Sequence, residues 1–262
     1  MLIANDIHVR LGHKEILRGV TTSFAPAQVS VIVGPNGSGK TTLLRALTAE
    51  LPCAGQITLN GHDIRATPAW KLAAIRAVLP QSTVLTFPFT VAEVVRLGQM
   101  GGIGAGGPDR TVEALNRVGL QSYGERFYSD LSGGEQQRVQ LARVLLQVWR
   151  PVGPDGSPRW LILDEPVSSL DIGHQLMVMQ IARDFADQGG GVVAVMHDLN
   201  LSAMFADHMV LMRNGRIAVQ GLVREVLVDH HLSAAYGCGL RVGVTPPEQP
   251  LFVLPQAALT ED

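Results

Sequence analysis

Residues 34–41 read Gly34-Pro35-Asn36-Gly37-Ser38-Gly39-Lys40-Thr41 and satisfy the pattern G-x-x-x-x-G-K-[ST]. The stretch before it, Val29-Ser30-Val31-Ile32-Val33, is short, apolar and β-branched, as in a buried strand. The stretch after it, Thr41 to Glu50, reads as a helix ended by Leu51-Pro52. Strand, loop and helix in this order are the context a phosphate-binding loop requires. The glycines permit tight turns and close approach of backbone, and successive N–H groups with the helix N-terminus then face an anion. In such a loop Lys40 reaches the β- and γ-phosphates of a nucleotide and the Thr41 hydroxyl ligates Mg²⁺. Taken alone, the same residues could be a glycine turn before an ordinary helix.

Working outward, 262 residues suffice for one large α/β domain or for one domain with an inserted subdomain. Hydrophobic residues make up 46%, which excludes a disordered chain. Twenty-one basic against 23 acidic residues leave a net charge of −2, which argues against a general nucleic-acid binder. The two cysteines, Cys53 and Cys238, lack metal-ligand spacing and read as reduced thiols. The first residues do not look like a signal peptide, and no apolar run approaches the ~18 residues of a membrane span. Any membrane role is therefore expected to come through a partner.

The segment 1–33 is β-rich in pattern, and 56–61 reads as a strand followed by an Asn60-Gly61 turn. From about Pro80 to Asp130 the pattern turns helical. Phe89 to Leu97 has Thr90 and Glu93 placed as a capping box, and Arg110 to Val118 is a second helix. The glycine-rich stretch 98–107 between them reads as a connector. The block therefore looks like a small helical insert at about 82–145. Three further strand signals follow: Trp160-Leu161-Ile162-Leu163, Gly191 to Met196, and Met209 to Val219 around Asn214-Gly215, a hairpin signal. Continuous apolar strands separated by helices predict a parallel sheet covered on both faces. From about Gly221 the chain reads as a tail with a short helix and then a proline-rich end.

Chemistry-bearing residues cluster at element ends. Ser132-Gly133-Gly134-Glu135 is a helix start: Ser132 caps, Glu135 closes a capping box, and the two glycines leave amides open to a phosphate. Asp164-Glu165-Pro166 ends a buried strand, where α/β proteins place ligands. Asp164 suits Mg²⁺ through water, and Glu165 suits a general base or a residue that orients water. His197 ends the next strand, and Gln81 stands at the entry to the helical insert.

This ordered set resembles the ATPase subunits of ABC transporters over about residues 2 to 225. Residues 34–41 resemble the Walker A loop, Gln81 the Q-loop, 131–137 the signature, 161–165 Walker B with its catalytic glutamate, 169–171 the D-loop and His197 the switch histidine. The resemblance implies a P-loop NTPase (RecA-like) α/β core with an N-terminal antiparallel β region and an inserted helical subdomain. Residues 1–225 would form one domain, with 226–262 as a C-terminal tail. It also implies ATP and Mg²⁺ as cofactors. Gly34, Pro35, Asn36, Gly37, Ser38, Gly39, Lys40, Thr41 and Thr42 would hold the phosphates in one chain. Ser132 and Gly134 would act on the ATP of a second copy paired head to tail, and Gly133 and Asp171 would also bind nucleotide. Thr41, Gln81 and Asp164 would hold the metal, and Glu165, His197 and Gln81 would carry catalysis. The helical insert would grip an integral membrane permease dimer at the cytoplasmic face of the inner membrane. The family usually has an aromatic residue near position 11 to stack on adenine; here only Leu11 and His13 could serve.

Within the family the chain is similar to importer ATPases for haem, iron–siderophores and vitamin B12. The polar insert 150–159, with three prolines and two glycines, and the segments 87–91 and 169–175 lean toward haem. A periplasmic haem-binding protein acting through the permease would then select the cargo. An iron–siderophore or cobalamin importer remains the alternative, with a soluble ABC ATPase of DNA repair or translation more remote.

Overall fold

The computed structural model describes residues 1–83, 85, 87–100, 109–245 and 253–258. The chain opens with two long strands, β1 (Leu2–Leu11) and β2 (Lys14–Phe24), followed by β3 (Gln28–Val33) and helix α1 (Lys40–Leu47). Then come β4 (Ala54–Leu59), β5 (His62–Asp63), α2 (Ala69–Ile75) and β6 (Arg76–Leu79). Three helices follow: α3 (Val91–Met100), α4 (Thr111–Arg117) and α5 (Gly133–Gln147). The core is completed by β7 (Trp160–Asp164), α6 (Ile172–Asp187), β8 (Gly191–Val195), α7 (Leu199–Phe205), β9 (His208–Arg213) and β10 (Arg216–Leu222). Two short helices, α8 (Val223–Val226) and α9 (Asp229–Tyr236), close the described core.

The strands form two sheets. One is antiparallel, in the order β2-β1-β4-β5. The other has the order β10-β9-β3-β8-β7-β6 and is parallel except for the β9–β10 hairpin at its edge. Side chains on a strand alternate between faces, so each parallel strand feeds two cores. Val29, Val31, Val33, Leu161, Leu163, Val192 and Ala194 point to the face covered by α5 and α6. Ile32, Trp160, Ile162, Val193 and Val195 point to the face shared with α1 and the antiparallel sheet. Burial on both faces explains why these strands read as continuous apolar runs. It also leaves only the strand ends free for polar residues, and β3, β7 and β8 run parallel with their C-terminal ends together.

The sequence expectations hold for most elements, with boundary differences. α1 stops at Leu47, short of Glu50, because Ala49 takes a left-handed backbone (φ +56°) that ends the helix. The first insert helix begins after Thr90, whose backbone N–H and hydroxyl both donate to Glu93 Oε2, at 2.7 and 2.9 Å. It extends to Met100 and so includes Gly98, which packs against the Arg143 backbone of α5. Residues 101–107 of the expected connector lie outside the described residues. The tail contributes two helices where one was expected, and Val226, Leu232 and Ala235 bury themselves against the main core.

Candidate functional site: a phosphate cradle at the strand ends

The loop between β3 and α1 is shaped by three glycines with positive φ: Gly34 (+146°), Gly37 (+75°) and Gly39 (+104°). At Gly34 a Cβ would stand 2.2 Å from the Met212 carbonyl oxygen, so no side chain fits. Gly39 begins α1 with no side-chain cap, and the first turn of that helix carries no acid. Its N-terminal amides are therefore left to a ligand. The Ser38 hydroxyl, on a residue only 3% exposed, has no protein partner.

Lys40 is 5% exposed and folds back over the loop, its Nζ donating to the Gly34 and Pro35 carbonyls at 2.8 and 3.2 Å. Burial holds its ammonium pKa below the ordinary lysine value, while the charges of Glu165 and Asp164 oppose that shift. The Thr41 hydroxyl donates to Asp164 Oδ1 at 3.2 Å. Asp164 is 3% exposed, and its carboxyl pKa is raised by burial in spite of the Thr41 hydrogen bond. A hydroxyl and a carboxylate side by side are hard oxygen donors, and they fit an ion such as Mg²⁺ that keeps most of its waters.

Glu165 follows with φ +51°, a backbone that costs a non-glycine residue roughly 1 kcal/mol. The surroundings over-determine it. Its N–H donates to the Val195 carbonyl (3.1 Å), and its own carbonyl accepts from Gln137 Nε2 (2.9 Å) and the Ser168 hydroxyl (3.2 Å). Turned this way, the carboxylate meets His197 Nε2, which donates to Oε1 at 2.6 Å, and Gln81 Nε2, which donates to Oε2 at 3.0 Å. A cavity of about 600 Å³ is lined by Asn36, Gly37, Gly39, Lys40, Thr41, Thr42, Gln81, Glu165 and His197. Residues far apart in sequence thus meet around one polar space at the ends of β3, β6, β7 and β8.

The residues at 132–134 and Asp171 lie elsewhere. Ser132 caps α5 in a full capping box: its N–H and hydroxyl donate to Glu135 Oε2 at 2.8 and 2.7 Å. Ser132 and Gly133 are exposed, and a Cβ on Gly133 would meet nothing within 4 Å. Asp171 caps α6 by accepting from the His174 N–H at 2.9 Å, which holds its carboxyl pKa below the usual range. None of these four residues lines the Lys40 cavity. Leu11 and His13 are exposed on either side of Gly12, at the turn between β1 and β2.

Two contacts escaped the sequence reading. Gln137 was quoted with its motif but given no role, and it grips the Glu165 carbonyl. Tyr236 of the tail is half-buried close to the Gly34 backbone; burial raises its phenol pKa, and the Gly34 backbone opposes that shift. An amide 28 residues from its acceptor and a tyrosine in a polar tail leave no local signal.

Fold and cradle together define a P-loop nucleotide-binding domain. The family model described as "ABC transporter" matches residues 17–168, more than half of the chain, and the chain belongs to that family as an ATP-binding ATPase subunit. It is 60% identical to a hemin import ATP-binding protein, HmuV, of Roseobacter denitrificans, over 98% of both chains. It is 54% identical to the protein of that name from Rhizobium meliloti, over 98% of this chain and 99% of the relative. Among solved structures it is similar to a nucleotide-free ATP-binding cassette from an ABC transporter, with a TM-score of 0.76 at 22% identity over 90% of this chain and 98% of that one. A dimeric bacterial ABC transporter cassette aligns with a TM-score of 0.74 at 22% identity, over 86% of this chain and 99% of the other.

Proposed function

We propose that this chain is the energy-coupling ATPase of a haem importer, working as a head-to-tail pair at the cytoplasmic face of a bacterial inner membrane. The observation that carries the cargo is the similarity over nearly the whole length to proteins named for hemin import, as in the Roseobacter relative at 60% identity. No described helix is long and apolar enough to cross a membrane, so the transmembrane path belongs to a permease dimer. A periplasmic haem-binding protein would deliver the cargo to it. Residues 1–225 work as one ATPase domain, with 82–145 as the permease-facing helical subdomain and 226–262 as a tail.

Residues 34–42 hold the ATP phosphates, with Lys40 leaving the Gly34 and Pro35 carbonyls to meet the β- and γ-phosphates. Thr41 and Asp164, with Gln81 nearby, would hold Mg²⁺, which when bound neutralises phosphate charge. Glu165 orients the attacking water, and His197 fixes that carboxylate and faces the γ-phosphate. Ser132, Gly133 and Asp171 are exposed, and together with Gly134, which packs against Ser169, they complete the site of the second copy. This division of labour is supported by the contrast between the polar cleft around the buried Lys40 and the exposed start of α5.

The test is ATP hydrolysis and uptake by this subunit reconstituted in lipid with its permease and loaded binding protein. Stimulation and uptake with haem alone are expected. Response only to a ferric siderophore or cobalamin would overturn the cargo and keep the ATPase reading. Failure of every cargo with basal hydrolysis intact would overturn the import assignment.

A further inference from the structure

Glu165 has a carboxylate held at its tip by two side chains and a backbone held in a conformation that non-glycine residues avoid. The tip contacts come from residues that line the nucleotide cavity. The backbone contact from Gln137 does not. Gln137 lies in the second turn of α5, the helix whose first residues are Ser132, Gly133 and Gly134. Its Nε2 donates to the Glu165 carbonyl at 2.9 Å across 28 residues of sequence. Its Oε1 is buried and has no protein partner, so the carbonyl of Glu165 is what anchors this amide. The amide borders a polar cavity of about 170 Å³ between the Gln81–Thr83 segment and α5, to which Gly133 also contributes.

We infer that Gln137 is a positioning residue for hydrolysis: it ties the signature helix of a chain to the backbone of that same chain's Glu165. The inference rests on the reading of Glu165 given above. Its physical basis is the left-handed backbone. A residue at φ +51° keeps that conformation only while its neighbours enforce it. The carbonyl is the group whose direction changes when the local backbone relaxes. Ser168 holds it from within the same turn through its N–H (3.3 Å) and hydroxyl (3.2 Å), and Gln137, at 2.9 Å, is the shorter, long-range donor that ties it to α5. Release of that carbonyl re-aims the carboxylate by a fraction of an ångström or more. Misplacement of this size is costly for chemistry and nearly silent for ground-state binding, which depends on the 34–42 loop. A consequence follows for a paired site. α5 begins at the surface that faces the partner's nucleotide and reaches, one turn later, the catalytic carboxylate of its own. Movement of α5 on one nucleotide is therefore felt at the other.

The test uses the full chain with MgATP at a concentration that supports pairing. Q137M keeps the length and packing of the side chain and removes the donor. It is expected to lower kcat about tenfold or more while KM for ATP stays within about twofold and Tm is unchanged. A kcat within twofold of wild type would overturn the inference. So would a rise in KM that accounts for the whole loss, since that marks a folding or binding defect. Q137A gives the same comparison if Q137M does not fold. E165Q, measured alongside, separates the two levels: wild-type turnover by E165Q would remove the Glu165 reading itself. A silent Q137M beside an inactive E165Q would remove only the role of Gln137.

Discussion

The chain builds two helix N-termini suited to a phosphate, and it treats them oppositely. α1 begins at Gly39, without a side-chain cap and without an acid in its first turn. Everything else a phosphate needs surrounds it: Lys40, Thr41, the unpartnered Ser38 hydroxyl and the Asp164–Glu165 strand end. α5 begins at Ser132 with a complete capping box, and its open glycine faces solvent. The first end is poised for a ligand within its own chain. The second is satisfied by its own residues and gains a ligand only from outside. On the function proposed above, a monomer holds one cradle and one half-site for a second copy, which is the arrangement a head-to-tail pair requires.

The largest expected effect exploits that asymmetry. Lys40→Ala removes the buried cation from the cradle and should cut turnover by about 10²- to 10³-fold. Gly133→Asp should do the same for another reason. Nothing in its own chain obstructs the new side chain, and an acid in the first turn favours the isolated helix. The monomer should thus keep its Tm and bind ATP, while the new charge repels a phosphate brought by a second copy. Mixing the two inactive variants then restores one intact site per mixed pair. Random pairing gives roughly a quarter of wild-type turnover, since half the pairs are mixed and each has one working site of two. Enzyme dilution should depress the wild-type specific rate in parallel. An inactive mixture, or a dilution-independent rate from a proven monomer, would break the comparison.

A second prediction asks how firmly the α1 end is built. Tyr236 reaches the Gly34 backbone from a helix that lies beyond the residues matched by the family model. Tyr236→Phe keeps the ring in its packing and removes only the hydroxyl. Loss of a polar contact worth about 1 kcal/mol corresponds to a rise of about fivefold in the Kd for ATP. Isothermal titration with the magnesium nucleotide measures it. An unchanged Kd would leave the tail a purely packing role.

What was legible in the sequence divides along the same line. The α1 end was readable because its determinants are contiguous: apolar strand, glycine loop, Lys40 and Thr41. The α5 cap was readable for the same reason, Ser132 and Glu135 being three residues apart. The hairpin at Asn214-Gly215 and the insert helix after Thr90 likewise announce themselves locally. The joining of Glu165, His197 and Gln81 into one cavity, with Asp164 bonded to its Thr41 wall, was not written in any local pattern, and it entered through resemblance. It depends on β6, β7 and β8 lying side by side, which only strand order decides. The left-handed backbone of Glu165 was hidden altogether, because glutamate carries no preference for it. Its causes are the Val195 carbonyl, Gln137 and Ser168, which the fold brings together. Ala49 is a parallel case, ending α1 where composition favoured its continuation.

The smallest effect concerns the cost of the self-satisfied cap. Glu135 holds the Ser132 hydroxyl and N–H, and those bonds keep its carboxyl pKa below the usual value. A depressed carboxyl pKa stabilises the folded chain above the unfolded pKa of about 4.3. That contribution fades as pH falls through the lower, folded value. Glu93, Asp109, Asp155 and Asp171 are depressed in the same direction by their own hydrogen bonds, so the acid limb of stability is shared. Glu135→Gln should therefore reduce the slope of Tm against pH between about 3 and 5 without abolishing it. The same substitution weakens the grip on the Ser132 hydroxyl, since a neutral acceptor binds less strongly than a carboxylate. If α5 must release that hydroxyl to a partner's phosphate, the variant should lose a little stability at neutral pH, converge with the wild type in acid, and show no loss of turnover at neutral pH. A turnover loss as large as that of Gly133→Asp would mean instead that the closed box is the form that meets the phosphate, and that the second helix end is as ready for its ligand as the first.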